Sequence, residues 1–443
     1  MLRIKRATKL AGVANIPGDK SISHRALLIG SIAEGKTVIS GFLASKDCLR
    51  TLTALRVLGV QIDTANPQEV VVWGKGRGGC DEPDNILYAG NSGTTLRMLS
   101  GVLAGQSGFS VITGDSSLRK RPMDRVIAPL RKMGAEIWAR NSRYAPIAFN
   151  GHKLSGISYD TPIPSAQVKS AVLLAGANAS GRTTVREQYR SRDHTERMLQ
   201  FLGAEIKVDD RATTIAGGKS FFGREIDVPA DISSAMFLIV AALIVPGSDI
   251  EIRNVGINQT RTGALRVLRD MGASIEESQV RERCNEPRAD LRVRHSQLSG
   301  VEIQGEVIPQ LIDELPALAV AASQAEGRTV IRGAEELRVK ESDRIFTIKN
   351  GLERMGAVVE EYNDGFSIAG PSKLTGAAVS SYGDHRIALA MATAGLVADG
   401  ETSIDEAQCI EVSFPSFEGA LAQLAGDQAV VVEGRRATGL EAF

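Results

Sequence analysis

The sequence predicts an α/β protein built from six repeats of about seventy residues each. Three observations support this prediction. An Ala-rich apolar stretch ends six times at a glycine that leads directly into a β-branched strand. A Leu-Gly or Met-Gly pair recurs in the same phase, and polar residues cluster where each apolar stretch begins. The first set of glycines is Gly35, Gly108, Gly181, Gly247, Gly327 and Gly400, at spacings of 73, 73, 66, 80 and 73 residues.

The apolar stretches predict helices that are buried on most sides. Residues 235–245 contain only apolar side chains, and residues 388–396 contain one threonine among Ala, Leu, Met and Gly. A helix without a polar face belongs in a core. We expect the following glycine to close the last helical turn in the left-handed conformation.

The Leu-Gly and Met-Gly pairs predict one surface helix in each repeat. Apolar residues stand one and four positions before the glycine, as Met271 and Leu268 do before Gly272. This spacing places them on one face of a helix, with Arg, Lys and Glu on the other. The pairs end at Gly59, Gly134, Gly203, Gly272 and Gly356, and a sixth copy near Gly426 is degraded.

Length and charge agree with a large enzyme. A chain of 443 residues exceeds the usual size of one core, so we expect two domains of three repeats each. The 52 basic and 52 acidic residues balance, which argues against binding to nucleic acid or membranes through bulk charge.

The cysteines and the hydropathy indicate a cytosolic protein. Cys48, Cys80, Cys284 and Cys409 are scattered without metal-ligand spacing, which is typical of a reducing compartment. No apolar run reaches the ~18 residues of a membrane span. No Walker loop or nucleophile elbow is present, and the polar segment Arg281–Arg288 is expected to be a surface loop.

The starts of the predicted apolar helices carry the candidate chemistry. Ser, Thr, Asn and Asp at these positions are also ordinary N-caps, but Arg, Lys and His near a positive helix end are unfavourable unless an anion lies nearby. Free N–H groups flanked by cations form anion sites, so we expect a polyanionic ligand. The segments are Lys20–Arg25, Asn91–Arg97, Ser165–Lys169, Asp231–Ser234, Ile312–Glu314 and Gly383–Arg386.

Two acids are candidates for proton transfer. Lys340, Glu341 and Arg344 are expected within one helical turn, which would place a carboxylate between two cations. Asp313 precedes an apolar helix, where it could cap the helix or act as a general base. Other basic runs, such as Arg119–Arg121, are as readily explained as solvated faces.

Five motifs in order, spread over essentially the whole chain, resemble those of the 5-enolpyruvylshikimate-3-phosphate synthase family. The segments 165–169, 192–196 and 258–261 are similar to those of its class II members. The five motifs are Pro17-Gly-Asp-Lys-Ser-Ile-Ser-His-Arg25, Gly90-Asn-Ser-Gly-Thr-Thr-Leu-Arg97, Arg121-Pro122, Lys340-Glu-Ser-Asp-Arg344 and Asp384-His-Arg386.

The resemblance implies a two-domain, inside-out α/β barrel fold made of six βαβαββ repeats. One domain would comprise residues 18–230, and the other residues 1–17 with 231–443, with the active site in the cleft between them. The implied reaction transfers the enolpyruvyl group of phosphoenolpyruvate to the 5-hydroxyl of shikimate 3-phosphate. We expect a monomer that needs no cofactor, metal, nucleic acid or membrane.

The resemblance also implies the roles of individual residues. Asp313 would be the base toward the 5-hydroxyl, and Glu341 with Lys20 would deliver the proton to the methylene carbon. Phosphoenolpyruvate would contact Lys20, Gly93, Arg121, Gln167, Arg344 and Arg386. Shikimate 3-phosphate would contact Lys20, Ser21, Arg25, Ser165, Gln167, Arg192 and Lys340, and Asp313 and His385 complete the substrate-binding set.

Two positions depart from well-known family patterns. Val412 stands where class I members carry a lysine for phosphoenolpyruvate, and Gly93 stands where glyphosate-insensitive members carry alanine. Gly93 indicates sensitivity to glyphosate, whereas class II members are often less sensitive, so the sequence predicts neither outcome for this inhibitor. The alternatives are the sister transferase acting on UDP-N-acetylglucosamine and a non-catalytic repeat scaffold. A cysteine typical of the sister enzyme is missing from the loop around residues 114–118.

Overall fold

Six four-stranded sheets with the same topology organise the chain. The structure, a computed structural model, describes residues 1–432. In three of the described repeats a strand and a helix lead to a second strand, and a second helix leads to a hairpin of the third and fourth strands, and in the other three one of the four strands comes from a distant part of the chain. The sheet order is first, second, fourth, third, with the first two strands parallel and the others antiparallel, as in the sheet of β10, β11, β13 and β12 (bounds below). The predicted α/β class with βαβαββ repeats is confirmed.

The strands are short, as expected for repeats of this size. In chain order they are β1 (Leu2–Lys5), β2 (Ala11–Ala14), β3 (Glu34–Ser40), β4 (Gln61–Asp63), β5 (Glu69–Lys75), β6 (Leu87–Tyr88), β7 (Phe109–Thr113), β8 (Glu136–Arg140), β9 (Tyr144–Asn150), β10 (Ser158–Asp160), β11 (Arg182–Arg186), β12 (Ile206–Asp209), β13 (Ala212–Ala216), β14 (Glu225–Asp227), β15 (Asp249–Gly256), β16 (Ser274–Arg283), β17 (Glu286–Arg294), β18 (Glu302–Ile303), β19 (Gly327–Ile331), β20 (Val358–Tyr362), β21 (Gly365–Gly370), β22 (Ala378–Ser380), β23 (Glu401–Asp405) and β24 (Val430–Val432).

The α-helices alternate between the apolar and the surface type. They are α1 (Lys20–Ile32), α2 (Lys46–Val57), α3 (Gly93–Leu103), α4 (Asp124–Lys132), α5 (Ala166–Asn178), α6 (His194–Phe201), α7 (Ile232–Ile244), α8 (Gly263–Asp270), α9 (Ile308–Leu311), α10 (Leu315–Gln324), α11 (Arg344–Arg354), α12 (His385–Gly395) and α13 (Phe417–Ala425).

The chain divides into two compact units. The first unit comprises Met1–Pro17, Ala230–Val280 and the chain from Ala289 onward, and the second comprises Gly18–Pro229 with Arg281–Arg288. Residues 433–443, which the sequence analysis placed in the domain of the first unit, lie outside the described residues.

Each unit has a core of three apolar helices that pack on one another. In the first unit α10 packs against α7 and α12, and in the second α3 packs against α1 and α5. Every residue of α7 is buried. Burial of a Leu or Ile side chain contributes about 1.5–3 kcal/mol, so burial of their many apolar side chains stabilises these helices in the core. The sequence prediction of buried apolar helices is confirmed.

Three sheets are completed by strands that are distant in sequence. In the second unit, β14 pairs in parallel with β3 and supplies the first strand of the opening repeat. In the first unit, β1 lies between β23 and β24, and β2 pairs in parallel with β15. The N-terminal residues therefore complete two sheets of the first unit, and the degraded sixth copy ends in the short strand β24.

The two glycine patterns have different structural roles. The glycines after the apolar helices all have positive φ, from 71° to 97°, but they lie beyond the helix end. Ala33, the C-cap residue of α1, is extended, and Gly35 lies inside β3. The prediction that these glycines close the last turn is wrong. The surface helices do end this way, since Gly59 donates to the carbonyl of Arg56 and Val60 to that of Leu55.

The segment Arg281–Arg288 is the tip of the β16–β17 hairpin. Cys284 and Asn285 both have positive φ, 53° and 60°, as a two-residue type I′ turn requires. Glu286 and Arg288 are buried. The sequence interpretation of this segment as a surface loop is therefore wrong.

Candidate active site

Several predicted site residues of the second unit lie at the starts of its three apolar helices. Lys20 is the first residue of α1, Gly93 is the first residue of α3, and Ser165 is the N-cap of α5. The N-cap residues accept hydrogen bonds from some backbone N–H groups in the first turn of these helices. In α1, the Asp19 carboxylate accepts from the amide of Ile22 at 2.8 Å. Three helix N-termini with positive dipole ends therefore belong to one unit.

Gly93, Arg121 and Gln167 form one cluster around a residue that the sequence analysis did not assign, Arg97. Arg97 Nη1 donates to Gln167 Oε1 at 2.7 Å. A Cβ atom on Gly93 would lie 3.0 Å from Arg97 Nη1 and 3.4 Å from Arg121 Nη1. Two guanidinium groups thus lie close to the start of α3. Glycine at position 93 leaves the space between them and the helix unfilled. Arg121 is oriented by a hydrogen bond to Asn91 Oδ1 at 2.5 Å.

Lys20 has a carboxylate partner that sequence reasoning missed. Its ammonium lies 3.4 Å from Asp47 Oδ2, and both side chains are largely but not completely buried. No motif marks Asp47, because it lies 27 residues from Lys20 on the next helix. The pair holds the ammonium at the start of α1, where it is available to an anionic ligand.

Arg25 lies deeper in the second unit. Its guanidinium donates to Thr195 Oγ1 at 2.7 Å, Ser170 Oγ at 3.0 Å and the carbonyl of Ser21 at 2.9 Å. Arg25 is 2% exposed, and its hydrogen bonds link α1, α5 and α6. Arg25 thereby holds the backbone of Ser21, a predicted phosphate contact, in the first turn of α1.

Arg192 lies on a loop whose neighbours are buried. A buried ammonium, Lys169 Nζ, lies 2.7 Å from Glu187 Oε2 and 2.7 Å from Glu196 Oε1. Burial alone would lower the pKa of Lys169, but attraction to these two carboxylates raises it above its ordinary value. Lys169 also donates to the carbonyl of Ser191, which fixes the residue before Arg192.

The first unit surrounds Asp313 with three cations. Its carboxylate lies 3.3 Å from Arg344 Nη1, 3.5 Å from Lys340 Nζ and 4.0 Å from Arg386 Nη2. Arg386 Nη1 also donates to the backbone carbonyl of Asp313 at 2.8 Å. Glu314, not Asp313, is the N-cap residue of α10, so capping is not the role of Asp313.

Glu341 also contacts Arg344, but not within a helical turn. Arg344 Nη2 donates to Glu341 Oε2 at 2.6 Å. Lys340 has an extended backbone and α11 begins only at Arg344, so the predicted helical turn is wrong. The carboxylate of Asp313 contacts both Lys340 and Arg344.

Arg344 is held by an acid that the sequence analysis quoted but did not assign. Asp384 accepts from Arg344 Nε at 2.8 Å and from Nη2 at 3.2 Å, and also caps α12 by accepting from the amide of Arg386. Burial would lower the pKa of Arg344, but attraction to Asp384, Glu341 and Asp313 raises it well above its ordinary value. The guanidinium therefore stays charged in a buried position.

His385 and Arg386 occupy the first turn of α12, and both are buried. His385 Nδ1 lies 4.0 Å from Asp384 Oδ1. The positive end of α12 and Arg386 thus lie beside Asp313, which gives the first unit its own anion-binding arrangement.

The segment 258–261 contributes a buried arginine next to the residues around Asp313. Arg261 is 2% exposed and donates to Asp231 Oδ1 at 3.3 Å and to Ser233 Oγ at 2.5 Å. Its guanidinium also lies 3.9 Å from the carboxylate of Glu314, the neighbour of Asp313. Arg261 therefore connects the start of α7 with the turn that carries Asp313.

The described residues contain no group of three or more His, Cys, Asp or Glu side chains suited to a metal ion. The four cysteines are free, and Cys48 and Cys80 are buried. Burial raises the pKa of Cys80 to about 11, which makes it a poor nucleophile. Among residues 1–432, every helix is too short or too polar to cross a membrane.

Comparison with known proteins places this arrangement in one family. A family model described as EPSP synthase (3-phosphoshikimate 1-carboxyvinyltransferase) matches residues 4–421. The 3-phosphoshikimate 1-carboxyvinyltransferase of Citrifermentans bemidjiense is 52% identical over 419 residues, which cover 94% of this chain and 97% of that protein. The enzyme of the same name from Brevibacillus brevis is 51% identical over 425 residues, which cover 96% of this chain and all of that protein.

A solved structure agrees with the sequence comparisons. The structure of EPSP synthase from Acinetobacter baumannii superposes with a TM-score of 0.87 at 41% identity and covers 98% of this chain and 100% of that one. Because the family model and these relatives span nearly the whole chain, the protein belongs to the EPSP synthase family, which carries out the enolpyruvyl transferase step of the shikimate pathway.

Proposed function

We propose that this protein transfers the enolpyruvyl group of phosphoenolpyruvate to the 5-hydroxyl of shikimate 3-phosphate and releases phosphate. The observation that carries the assignment of roles is the position of Asp313, which lies within 4.0 Å of Lys340, Arg344 and Arg386. A carboxylate among three cations stays ionised, and an anionic substrate offsets those cations when it binds.

Both substrates are polyanions, which suits the cations of both units. Phosphoenolpyruvate is assigned to Lys20, Gly93, Arg121, Gln167, Arg344 and Arg386. Shikimate 3-phosphate is assigned to Lys20, Ser21, Arg25, Ser165, Gln167, Arg192 and Lys340, with Asp313 and His385 in the same set. These roles need residues of both units at the same substrates, and the cleft between residues 18–230 and the remainder stays a prediction.

Asp313 is proposed to accept the proton of the 5-hydroxyl as its oxygen attacks C2 of phosphoenolpyruvate. The hydrogen bond from Arg386 to the Asp313 carbonyl fixes the backbone of this acid. A base that is held in place contributes typically 10²–10⁴-fold to the rate.

Glu341, together with Lys20, is proposed to deliver a proton to the methylene carbon C3. Addition of the oxygen to C2 and the proton to C3 converts the alkene into a tetrahedral intermediate. Loss of a proton from C3 and of phosphate from C2 then restores the double bond in the product. Arg344 and Arg386 stabilise the charge of the carboxylate and phosphate during both steps.

The protein is further proposed to act as a monomer in the cytoplasm, without a nucleic-acid or membrane partner. The equal numbers of acidic and basic residues support the proposed absence of these two kinds of partner, since no net charge drives adsorption to a polyanion. Gel filtration at micromolar concentration tests the oligomeric state.

Phosphate release from phosphoenolpyruvate tests the reaction directly. We expect release with shikimate 3-phosphate as acceptor and none with UDP-N-acetylglucosamine. Release with the nucleotide sugar alone would assign the protein to the sister reaction, and release with neither acceptor would refute the proposed activity.

A further inference from the structure

The tip of the β16–β17 hairpin makes buried polar contacts to the start of α6. Glu286 Oε1 lies 2.7 Å from His194 Nδ1, and the two side chains are 7% and 2% exposed. The two atoms are at hydrogen-bonding distance, so the contact fixes the orientation of the His194 ring.

A second pair of contacts joins the same two elements. Arg197 Nη1 donates to the carbonyl of Asn285 at 2.9 Å, and Asn285 Nδ2 donates to the carbonyl of Arg197 at 3.3 Å. Arg197 Nε also donates to Asp193 Oδ1 at 2.9 Å. The hairpin tip therefore fixes the residue on the C-terminal side of Arg192.

The tip is itself anchored on β14. Arg288 is fully buried and donates to Asp227 Oδ2 at 2.9 Å and to the Asp227 carbonyl at 2.7 Å. The amide of Asp227 donates to Cys284 Sγ at 3.4 Å. A rigid anchor of this kind allows Glu286 to hold His194 in place.

The residues on both sides of Arg192 in the chain are held by buried contacts. Lys169 holds the carbonyl of Ser191, whereas the hairpin tip holds His194 directly and Asp193 indirectly, through Arg197. Burial of Glu286 and His194 carries a desolvation cost, so a gain in stability alone is a weak explanation for the pair. Positioning of the Arg192 guanidinium for a phosphate group explains why such a contact is present.

We propose that Glu286 is a positioning residue for the binding of shikimate 3-phosphate. Glu286 acts through His194 to orient Arg192 toward the phosphate group. This inference rests on the proposed function, because Arg192 is assigned there to that phosphate. Neither Glu286 nor His194 needs to touch the substrate.

The test measures KM for each substrate and kcat in Glu286→Ala and Glu286→Gln, alone and combined with Arg192→Ala. Removal of the carboxylate should raise KM for shikimate 3-phosphate about tenfold and leave KM for phosphoenolpyruvate within about twofold. The effect should disappear in the Arg192→Ala background. Glu286→Gln keeps the shape and guards against misfolding of the alanine variant, and it should show the same selective change.

Glu276→Ala is the matched control on the same hairpin. Glu276 is exposed and pairs with Arg294 on the neighbouring strand rather than with the hairpin tip or its anchor on β14, so its loss should leave both KM values unchanged. Equal increases in both KM values, no increase, or an undiminished effect of Glu286→Ala in the Arg192→Ala background would each overturn the inference. If Arg192→Ala alone leaves KM for shikimate 3-phosphate unchanged, the assignment of Arg192 fails together with the inference. A wild-type protein without phosphate release would instead refute the proposed function.

Discussion

Arg344 and Asp384 form a two-point ion pair in the first unit, with Nε to Oδ2 at 2.8 Å and Nη2 to Oδ1 at 3.2 Å. Arg344 is 1% exposed and Asp384 is fully buried. The same carboxylate caps α12, so one acid fixes a helix start and the guanidinium beside Asp313. The orientation of Arg344 therefore depends on Asp384.

Replacement of Asp384 by alanine should destabilise the protein and weaken phosphoenolpyruvate binding together. The change leaves a buried guanidinium without its main partner, which costs about 3–5 kcal/mol. Urea unfolding and KM for phosphoenolpyruvate are the measurements. Asp343→Ala is the control, because Asp343 caps α11 without a buried arginine and its loss should cost only about 1 kcal/mol. Equal losses of stability in the two variants would contradict the role given to Asp384.

Asp313→Asn should abolish most turnover while the substrates still bind. The amide keeps the shape of the side chain but cannot accept the hydroxyl proton, so kcat should fall by a factor on the order of 10²–10⁴. Steady-state kinetics and calorimetric titration of shikimate 3-phosphate separate the two effects. Asp343→Asn, a partly exposed acid of the same unit, should keep its kcat. An undiminished kcat in Asp313→Asn would remove this residue from the role of base.

Gly93→Ala should weaken phosphoenolpyruvate binding selectively. The added methyl group would lie 3.0 Å from Arg97 Nη1, so the Arg97 guanidinium must shift by a few tenths of an ångström, and it would be in contact with Arg121 Nη1 at 3.4 Å. A misfit of one methyl group corresponds to roughly tenfold or more in discrimination, and KM for phosphoenolpyruvate should rise by about that factor.

Gly419→Ala provides the control for this prediction. Gly419 also lies in a helix, and a Cβ atom there would meet no other atom within 4 Å. Both KM values should stay at those of the wild type in this variant. An unchanged KM for phosphoenolpyruvate in Gly93→Ala would mean that Arg97 adjusts without loss of binding.

His24 makes the stability of the protein depend on pH between about 3 and 6.5. Burial, followed by repulsion from Lys20 and Arg25, lowers the pKa of His24 from 6.5 to about 3. In this range the unfolded chain binds a proton that the folded protein does not. The free energy of unfolding should therefore fall by about 1.4 kcal/mol for each pH unit below 6.5 on account of this residue.

Urea unfolding at several pH values between 7 and 4 checks the prediction. His24→Gln should show a smaller loss of stability per pH unit than the wild type, whatever its stability at pH 7. His152→Gln, which changes an exposed histidine, should keep the slope of the wild type. Identical slopes in the wild type and His24→Gln would show that another group causes the acid sensitivity.

The repeats and the buried helices could be predicted because their signals are local. The phase of Gly59 and its counterparts follows directly from the apolar positions before them, and each of these glycines does end a surface helix. Helix starts with Lys20, Gly93 and Arg386 were visible for the same reason.

Contacts between distant segments could not be predicted. Asp47 lies on α2 and has no pattern that links it to Lys20, and the role of Glu286 becomes visible only when the hairpin tip is seen beside α6. The polar composition of residues 281–288 suggested a solvated loop, although tertiary contacts bury Glu286 and Arg288. Ion pairs of this kind depend on tertiary proximity, which neither periodicity nor capping residues encode.

The position of β1 between β23 and β24 sets an order for synthesis and folding. The sheet partners of β1 emerge from the ribosome about 400 residues after it, whereas β14 completes the second unit once residues 225–227 are made. Domains fold largely as units during synthesis, and the N-terminal residues of the first unit must wait without partners. The second unit, apart from the hairpin tip, is thus the part of the nascent chain that acquires its core first.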